Sequence, residues 1–373
     1  MATVNISTNG FKVALHARIS VPGNPQASAI EPKLPTILFC HPTWLDSLFF
    51  YPQIDDPLFA QHYNLVSFDL RGHGATQVSG RDADYSVDTA AADVAAGLDA
   101  LGAKDVHVVG AGFGSLVAAA LAAARPELVQ GLVLIALPPA RDNDETALAF
   151  KECEESLVHA VAKRDLELLD MITTATFEYD AGALPRAVLE IRDEYVALAR
   201  AHFATATEQE AADAAWYIWR PLRTRAPPSA ETLGRINVPV LVLQGVGSTD
   251  SFAEDAENWC SEFNFAQVQQ GHTARANVTL IQHADHYMTL TSPNIVNPVI
   301  AKFIGTPLSA GLPPLPSPGV HISGRSGKAR RPSTPRGLSF DIPPPARVIP
   351  GMKTIGDELD RLAVDTVVTR VSD

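Results

Sequence analysis

Cysteine is scarce in this 373-residue chain, which holds only Cys40, Cys153 and Cys260. An odd and widely separated set builds no disulfide framework, and without CxxC or Cys/His spacing it offers no metal site. No metal is expected, and a reducing, cytoplasmic compartment is the expected location. Positive charge is in deficit: 29 Lys and Arg against 42 Asp and Glu leave a net charge of −13. An acidic surface repels phosphate at long range, which argues against a non-specific binder of nucleic acid or of anionic membranes. Long hydrophobic runs are missing as well. The longest apolar stretches, around 105–124 and 129–137, are broken by Gly, Arg and Pro, short of the ~20 residues a membrane span needs. The first twenty residues alternate around Asn9-Gly10, the chemistry of a two-residue β-hairpin and not of a cleavable signal.

What is present is apolar residue, at 46% ample for a packed core, and it recurs in short blocks. TILFC at 36–40, Tyr63–Phe68, Val106–Val109, LVLIAL at 132–137, VPVLVLQ at 238–244 and NVTLIQH at 277–283 read as strands buried on both faces of a parallel sheet. Val87–Leu101, Phe113–Ala124 and a segment near 294–304 read as helices between and after them. This alternation predicts an α/β chain with a doubly wound, mostly parallel sheet over residues 1–305. Residues from about 140 to 230 interrupt it with helical pattern alone, including an aromatic cluster at Trp216, Tyr217 and Trp219. They are expected to form a helical cap over the C-terminal edge of the sheet. From residue 306 to 373 the composition turns to Pro, Gly, Ser and Arg, which buries too little surface to offset its conformational entropy and predicts a mostly disordered tail. Arg330-Arg331-Pro332-Ser333-Thr334-Pro335 makes that tail a candidate for phosphorylation or for a protein partner, and Ile355–Val371 a candidate short helix.

The most informative motif is DVHVVGAGFGS at 105–115, a strand running into a glycine-rich turn and then a helix. A small-x-nucleophile-x-small turn of this kind exposes one side chain above a parallel sheet. With Gly110 and Gly114 at the small positions, the nucleophile position is Gly112. Taking Ser115 instead would put Phe113 and Val117 where small residues are required, so Ser115 is read as a packing or capping hydroxyl. A dinucleotide fingerprint is the rival reading, but GxGxxG fails at Ser115 and no acidic residue ends the next strand. No cofactor is therefore expected.

From TILFCHPTW through FDLRGHGAT, VVGAGFGSL and LVLIALPP to ADHYMTLTSPNIVNPVIAKFI, the chain resembles the α/β-hydrolase fold family, of the AB hydrolase-1 type. The resemblance implies that His41-Pro42-Thr43 is the oxyanion loop, with Pro42 where the family usually has Gly. Because proline has no N–H, the donors would be the backbones of Thr43, with Trp44 as alternative, and of Phe113. His41 either lines the pocket or bonds within its loop, and Trp44 is a pocket wall. His286 matches the family's catalytic histidine, ahead of His283 or His41, and Asp250 is the acid of choice with Asp255 as second. Gly112 as the replacement for the nucleophile also looks like the arrangement in N-myc downstream-regulated proteins, non-catalytic members of the fold. The resemblance implies a degenerate triad, and the aromatic residues of the cap point to a small, largely apolar ligand or substrate beneath it. The alternatives are an unconventional hydrolase or lyase using His286 as general base, and a non-catalytic interaction scaffold.

Overall fold

The computed structural model describes residues 2–79, 84–175, 177, 186–246, 251–282 and 284–306. The expectations for the tail beyond Thr306, and for Asp250 and His283, lie outside them. Two strands, β1 (Ala2–Thr8) and β2 (Phe11–Ser20), pair antiparallel across Asn9 and Gly10, whose φ of 48° and 83° are the positive values a type I′ turn requires. β3 (Thr36–Cys40) follows, then a 3-10 turn at Ser47–Phe50 and two short helices, α1 (Tyr51–Ile54) and α2 (Pro57–Ala60). After β4 (Asn64–Phe68) and the two-residue β5 (Gln77–Val78) comes α3 (Val87–Leu101). α3 is bounded by a Ser86 hydroxyl that accepts from the Thr89 N–H and by Gly102 at φ 71°, a stop that favours a residue without Cβ.

β6 (Val106–Ala111), α4 (Phe113–Ala124) and β7 (Val129–Ile135) complete the first half of the sheet. Among the described residues the chain then leaves it for five helices: α5 (Asp144–Lys163), α6 (Leu166–Ala175), α7 (Arg186–Phe203), α8 (Glu208–Arg223) and α9 (Ala230–Gly234). It returns as β8 (Val240–Val246), α10 (Ser251–Gln269), β9 (Ala276–Gln282), α11 (Met288–Thr291) and α12 (Pro293–Phe303). Among the described residues the strands form one sheet in the order β1-β2-β4-β3-β6-β7-β8-β9, with β5 on β2. β3, β4 and β6 to β9 are mutually parallel, and β2 joins β4 antiparallel.

Both faces of the sheet are covered, which is why β3 and β4 are mostly apolar: all five residues of each are buried, the polar Thr36, Asn64 and Ser67 included. On one face Phe68, Val94, Leu98, Val117, Leu121 and Phe263 share a core with α3, α4 and α10. On the other, Phe39, Phe49, Phe50, Phe59 and Ile300 pack with α1, α2 and α12. A third cluster, including Leu157, Leu169, Ile172 and Trp219, lies within the inserted helices, and Trp44 packs against both it and the second core. Emptying a site such as Phe68, fully buried, costs about 3–5 kcal/mol as Phe→Ala. The strand order reverses direction of growth at β3, flanked by β4 and β6, and the crevice outside the carboxyl ends at such a switch is where a doubly wound sheet binds its ligands. No helix among the described residues is long and apolar enough to cross a membrane.

Candidate functional site at the β6–α4 turn

β6 runs into α4 through Gly112, at φ 53° and ψ −123°. That conformation lies in the left-handed half of backbone space, where a residue with Cβ is strained and glycine is not. Its neighbours are small because the backbone is crowded: a Cβ on Gly110 would stand 2.6 Å from the Ser115 Cα, and one on Gly114 would stand 2.6 Å from the His41 carbonyl oxygen. The turn is closed by two hydrogen bonds, from the Gly112 N–H to the Ile135 carbonyl and from the Ser115 N–H to the Gly112 carbonyl, both 2.9 Å. Ser115 is fully buried and its hydroxyl donates to the Ile135 carbonyl at 3.0 Å, the packing role read from the sequence. A Cβ placed on Gly112 would lie 3.9 Å from His286 Nε2 and 3.1 Å from Pro42 Cβ. The turn thus directs its missing side chain at an imidazole, across a proline that partly fills the space.

His286 follows β9 on a segment docked against the end of β8. A Cβ on Gly245 would meet the Asp285 and Ala284 carbonyl oxygens at 2.5 and 2.6 Å, so the absence of a side chain there lets the segment approach. The half-buried imidazole stands edge-on to Tyr287, 5.0 Å between ring centres. Asp285 Oδ1 accepts from the Thr291 hydroxyl at 2.9 Å, tying the segment to α11. Of the two acids named from the sequence, Asp250 is not among the described residues; Asp255 lies half-buried in the first turns of α10, its carboxyl raised by burial and by Glu254.

The loop after β3 divides its residues between support and cleft. His41 is fully buried, its Nε2 accepts from the Leu70 N–H at 2.8 Å, and its Nδ1 is 2.8 Å from the Pro42 carbonyl, so Nδ1 carries the proton. Burial holds it below its ordinary pKa. Both nitrogens are thus committed within the loops, which favours the loop-bonding alternative over a pocket-lining one. The Thr43 hydroxyl donates to the Ile218 carbonyl of α8 at 2.8 Å. Trp44, at φ 68°, stacks on Trp219 with ring centres 5.0 Å apart and forms a cleft wall. Phe113 opens α4, so its N–H is one of those a helix leaves without an intrahelical acceptor.

Between these loops and helices α7 and α8 lies a cleft of about 520 Å³, with Trp44, Asp46, Asp69, His73, Tyr195 and Ile218 among its walls. Burial would raise the Asp69 carboxyl, but hydrogen bonds from His16, the Ser47 N–H and the Ala75 N–H together outweigh it and hold Asp69 at about 2. The same contact raises His16. His73 is pushed down to about 3 by burial and then by neighbouring His41, so it stays neutral. The Tyr195 hydroxyl donates to Asp46 at 2.5 Å, and burial with that carboxylate raises the phenol. Among the described residues, no group of three or more His, Cys, Asp or Glu is placed to hold a metal ion.

A protein-family model described as the alpha/beta hydrolase fold matches residues 35–169, from β3 through the β6–α4 turn into α6. The enol-lactonase from Burkholderia xenovorans LB400 superposes with a TM-score of 0.56 over 81% of this chain and 100% of its own, at 18% identity. Residues 35–169 thus match the α/β-hydrolase family, and the chain has the α/β-hydrolase fold. Epoxide hydrolase 4 of Mus musculus is 31% identical over 80 residues, 21% of this chain and 22% of its own length. The dihydrolipoyllysine-residue acetyltransferase component of the acetoin cleaving system of Cupriavidus necator is 33% identical over 161 residues, 42% of this chain and 38% of that one. The chain spans about a fifth to two-fifths of the length of the curated relatives it matches. Their names span different chemistries, so what this chain shares with them is scaffold, and the reaction must be argued from its own residues.

Several of the cleft residues escape a reading by motif. Tyr195 and Asp46 are 149 residues apart in sequence, and a lone Tyr in an amphipathic helix carries no signal of its carboxylate partner. His16 lies within β2 and Asp69 just past the end of β4, and the antiparallel β2–β4 pairing alone brings them together. The crowding of Gly112 by Pro42 was legible only as an odd residue in the loop.

Proposed function

We propose that this α/β-hydrolase-family chain has a degenerate triad, and that it binds a small, largely apolar molecule beneath its inserted helices without forming a covalent intermediate on the chain. The observation that carries this is the pairing of Gly112 with Pro42. The turn has the conformation and the small neighbours that present a nucleophile, and its vector meets His286 Nε2, yet it bears no side chain and Pro42 occupies part of the room for one. Loss of a covalent nucleophile removes several orders of magnitude of rate, while backbone donors and binding leave a residual.

A second reading rests on His286. A half-buried imidazole facing a vacant turn has room to take a proton from a water or from the substrate, which is general-base hydrolysis or elimination and needs no enzyme nucleophile. In that reading Asp250 orients His286, and the Thr43 and Phe113 N–H groups receive the developing oxyanion. An active-site fluorophosphonate separates conventional chemistry from both. The native protein is expected to stay unlabelled, and stoichiometric labelling at Ser115 or any other serine overturns the proposal. Gly112→Ser is expected to gain labelling at residue 112; a folded variant that stays unlabelled removes His286 from the role of base.

A further inference from the structure

The cleft of about 520 Å³ beside α7 carries chemistry that the β6–α4 turn does not use. Neither Gly112 nor His286 is among its lining residues, and its volume falls within the roughly 300–1,000 Å³ of small-molecule sites. One wall is aromatic and apolar. Trp44 is backed by the stacked Trp219, and Leu198 on α7 with Ala214 and Ile218 on α8 continue the same lining.

Charge on this lining is unevenly paired. Three carboxylates, Asp46, Asp69 and Glu194, stand against two cationic side chains, Arg18 and His16. Both cations are engaged: His16 Nδ1 bonds Asp69 Oδ2 at 2.8 Å, and Arg18 Nη2 bonds Asp55 at 3.2 Å. His73 stays neutral, with its Nδ1 3.1 Å from the Arg71 carbonyl, and His202 is exposed near the end of α7. Glu194 is exposed as well, which leaves Asp46 as the half-buried carboxylate that meets no cation among the described residues. Its Oδ1 accepts from the Tyr195 hydroxyl at 2.5 Å and from the Leu48 N–H at 2.8 Å. Its Oδ2 accepts from neither, and it is not among the buried polar atoms that lack a partner, so this oxygen is accessible. A carboxylate removed from bulk water without a counter-charge is costly, and a charge-assisted donor is the group that satisfies it best. Trp44 and Tyr195 supply ring faces that also favour a cation, and the net charge of −13 draws cations to the surface.

We propose that the cleft selects a small organic cation, an amine whose ammonium donates to Asp46 Oδ2 while its apolar body lies along Trp44, Leu198 and Ile218. This rests on the reading of a small, largely apolar molecule beneath the inserted helices, and adds the charge of that molecule. An anion would meet Asp46 and Glu194 with no unpaired cation to offset them. An uncharged molecule without a donor would leave Asp46 Oδ2 stripped of water and unbonded.

The test uses the full chain labelled with 5-fluorotryptophan, which reports on Trp44 in the cleft and, as a control, on Trp259 outside it. Three probes share a phenyl ring on a short chain: 2-phenylethylamine is a cation at neutral pH, propylbenzene is uncharged and 3-phenylpropanoate is an anion. 2-Phenylethylamine is expected to shift the Trp44 fluorine resonance saturably, to leave Trp259 in place, and to bind at least about tenfold tighter than propylbenzene. 3-Phenylpropanoate is expected to bind weakest. Asp46→Asn keeps an oxygen for the Leu48 N–H and removes the charge, and should bring the amine and the hydrocarbon to equal affinity. Glu262→Gln removes the same charge from the exposed side of α10 and should keep the preference. The cationic ligand is overturned, and the apolar site left standing, by equal affinity of amine and hydrocarbon for the native chain or by tightest binding of the anion. A preference that Asp46→Asn weakens no more than Glu262→Gln does has the same meaning. If none of the probes moves the Trp44 resonance, the cleft takes no such molecule and the reading beneath it falls as well. The ranking of the three probes is read on the native chain, and so decides even if Asp46→Asn does not fold.

Discussion

Gly112 and Pro42 are best understood as a pair. A Cβ at 112 would sit 3.1 Å from Pro42 Cβ, tighter than ordinary side-chain contact, and the φ of 53° adds backbone strain. Gly112→Ser is therefore expected to destabilise the fold by about 1–3 kcal/mol. Placing Pro42→Gly in the same chain should return part of that loss by relieving the contact. A double-mutant cycle from chemical denaturation reads the coupling, and strictly additive effects would show that Pro42 does not crowd the turn. His73 allows a prediction in pH. It is a base held near 3 in the folded chain against an ordinary 6.5, so only the unfolded chain takes up its proton between those values. The stability from neutral burial is complete above pH 6.5 and declines below it, by at most about 1.4 kcal/mol per pH unit for one histidine. His73→Asn is expected to show a shallower loss between pH 6.5 and 5 than the native chain, and identical slopes would sink the argument.

At the scale of elements, α7 meets the core through Val188, Ile191 and Tyr195. Tyr195 packs with Phe177 at 5.7 Å between ring centres, and its hydroxyl reaches Asp46, which also caps the 3-10 turn through the Leu48 N–H. Hydrogen bonds to charged groups contribute about 1.5–3 kcal/mol. Tyr195→Phe keeps the ring and removes the bond, so a loss of that order is expected, with faster amide exchange along α7 than along β3. Unchanged exchange in α7 would mean the inserted helices are held by packing alone. The elements themselves were largely legible in the sequence: helices over Val87–Leu101 and Phe113–Ala124 form with those bounds, and each apolar block becomes a parallel strand. Local signals suffice there, because Ser86, Gly102 and the breaks between apolar runs act within one turn of where they stand. The role of the lid aromatics was not legible. Trp219 stacks on Trp44, Tyr217 on Tyr85 at 3.9 Å, and Trp216 is exposed under the Arg220 guanidinium, three separate contacts that helical periodicity cannot distinguish.

For the whole molecule, α12 ends in a contact that bounds any shortened chain. Thr306, 5% exposed, donates its N–H to the Ala301 carbonyl at 2.9 Å and shares a hydrogen bond of 3.1 Å with the Tyr63 hydroxyl. Removal of residues 307–373 keeps that contact, and the Pro-, Gly- and Ser-rich composition of the removed part supplies little apolar surface to lose. The melting temperature is expected to stay within a few degrees of the full chain, whereas a large drop would show that this segment packs on the core.

By itself, the sequence determined the order of strands and helices, the β1–β2 turn, the small residues that let β6 meet α4, and the resemblance to a family whose fold the structure has. Those follow from interactions within a few residues and from apolar periodicity, both of which are written in the chain. Only the tertiary structure decided that His41 is committed to Leu70 and Pro42, that Pro42 presses on the vacant position of Gly112, and that His286 Nε2 faces it. It alone decided that Arg225 pairs with Asp142, 83 residues earlier, where the insertion leaves and rejoins the sheet. Such relations depend on which loops the strand order brings to one edge of the sheet, and no spacing along the chain encodes that distance.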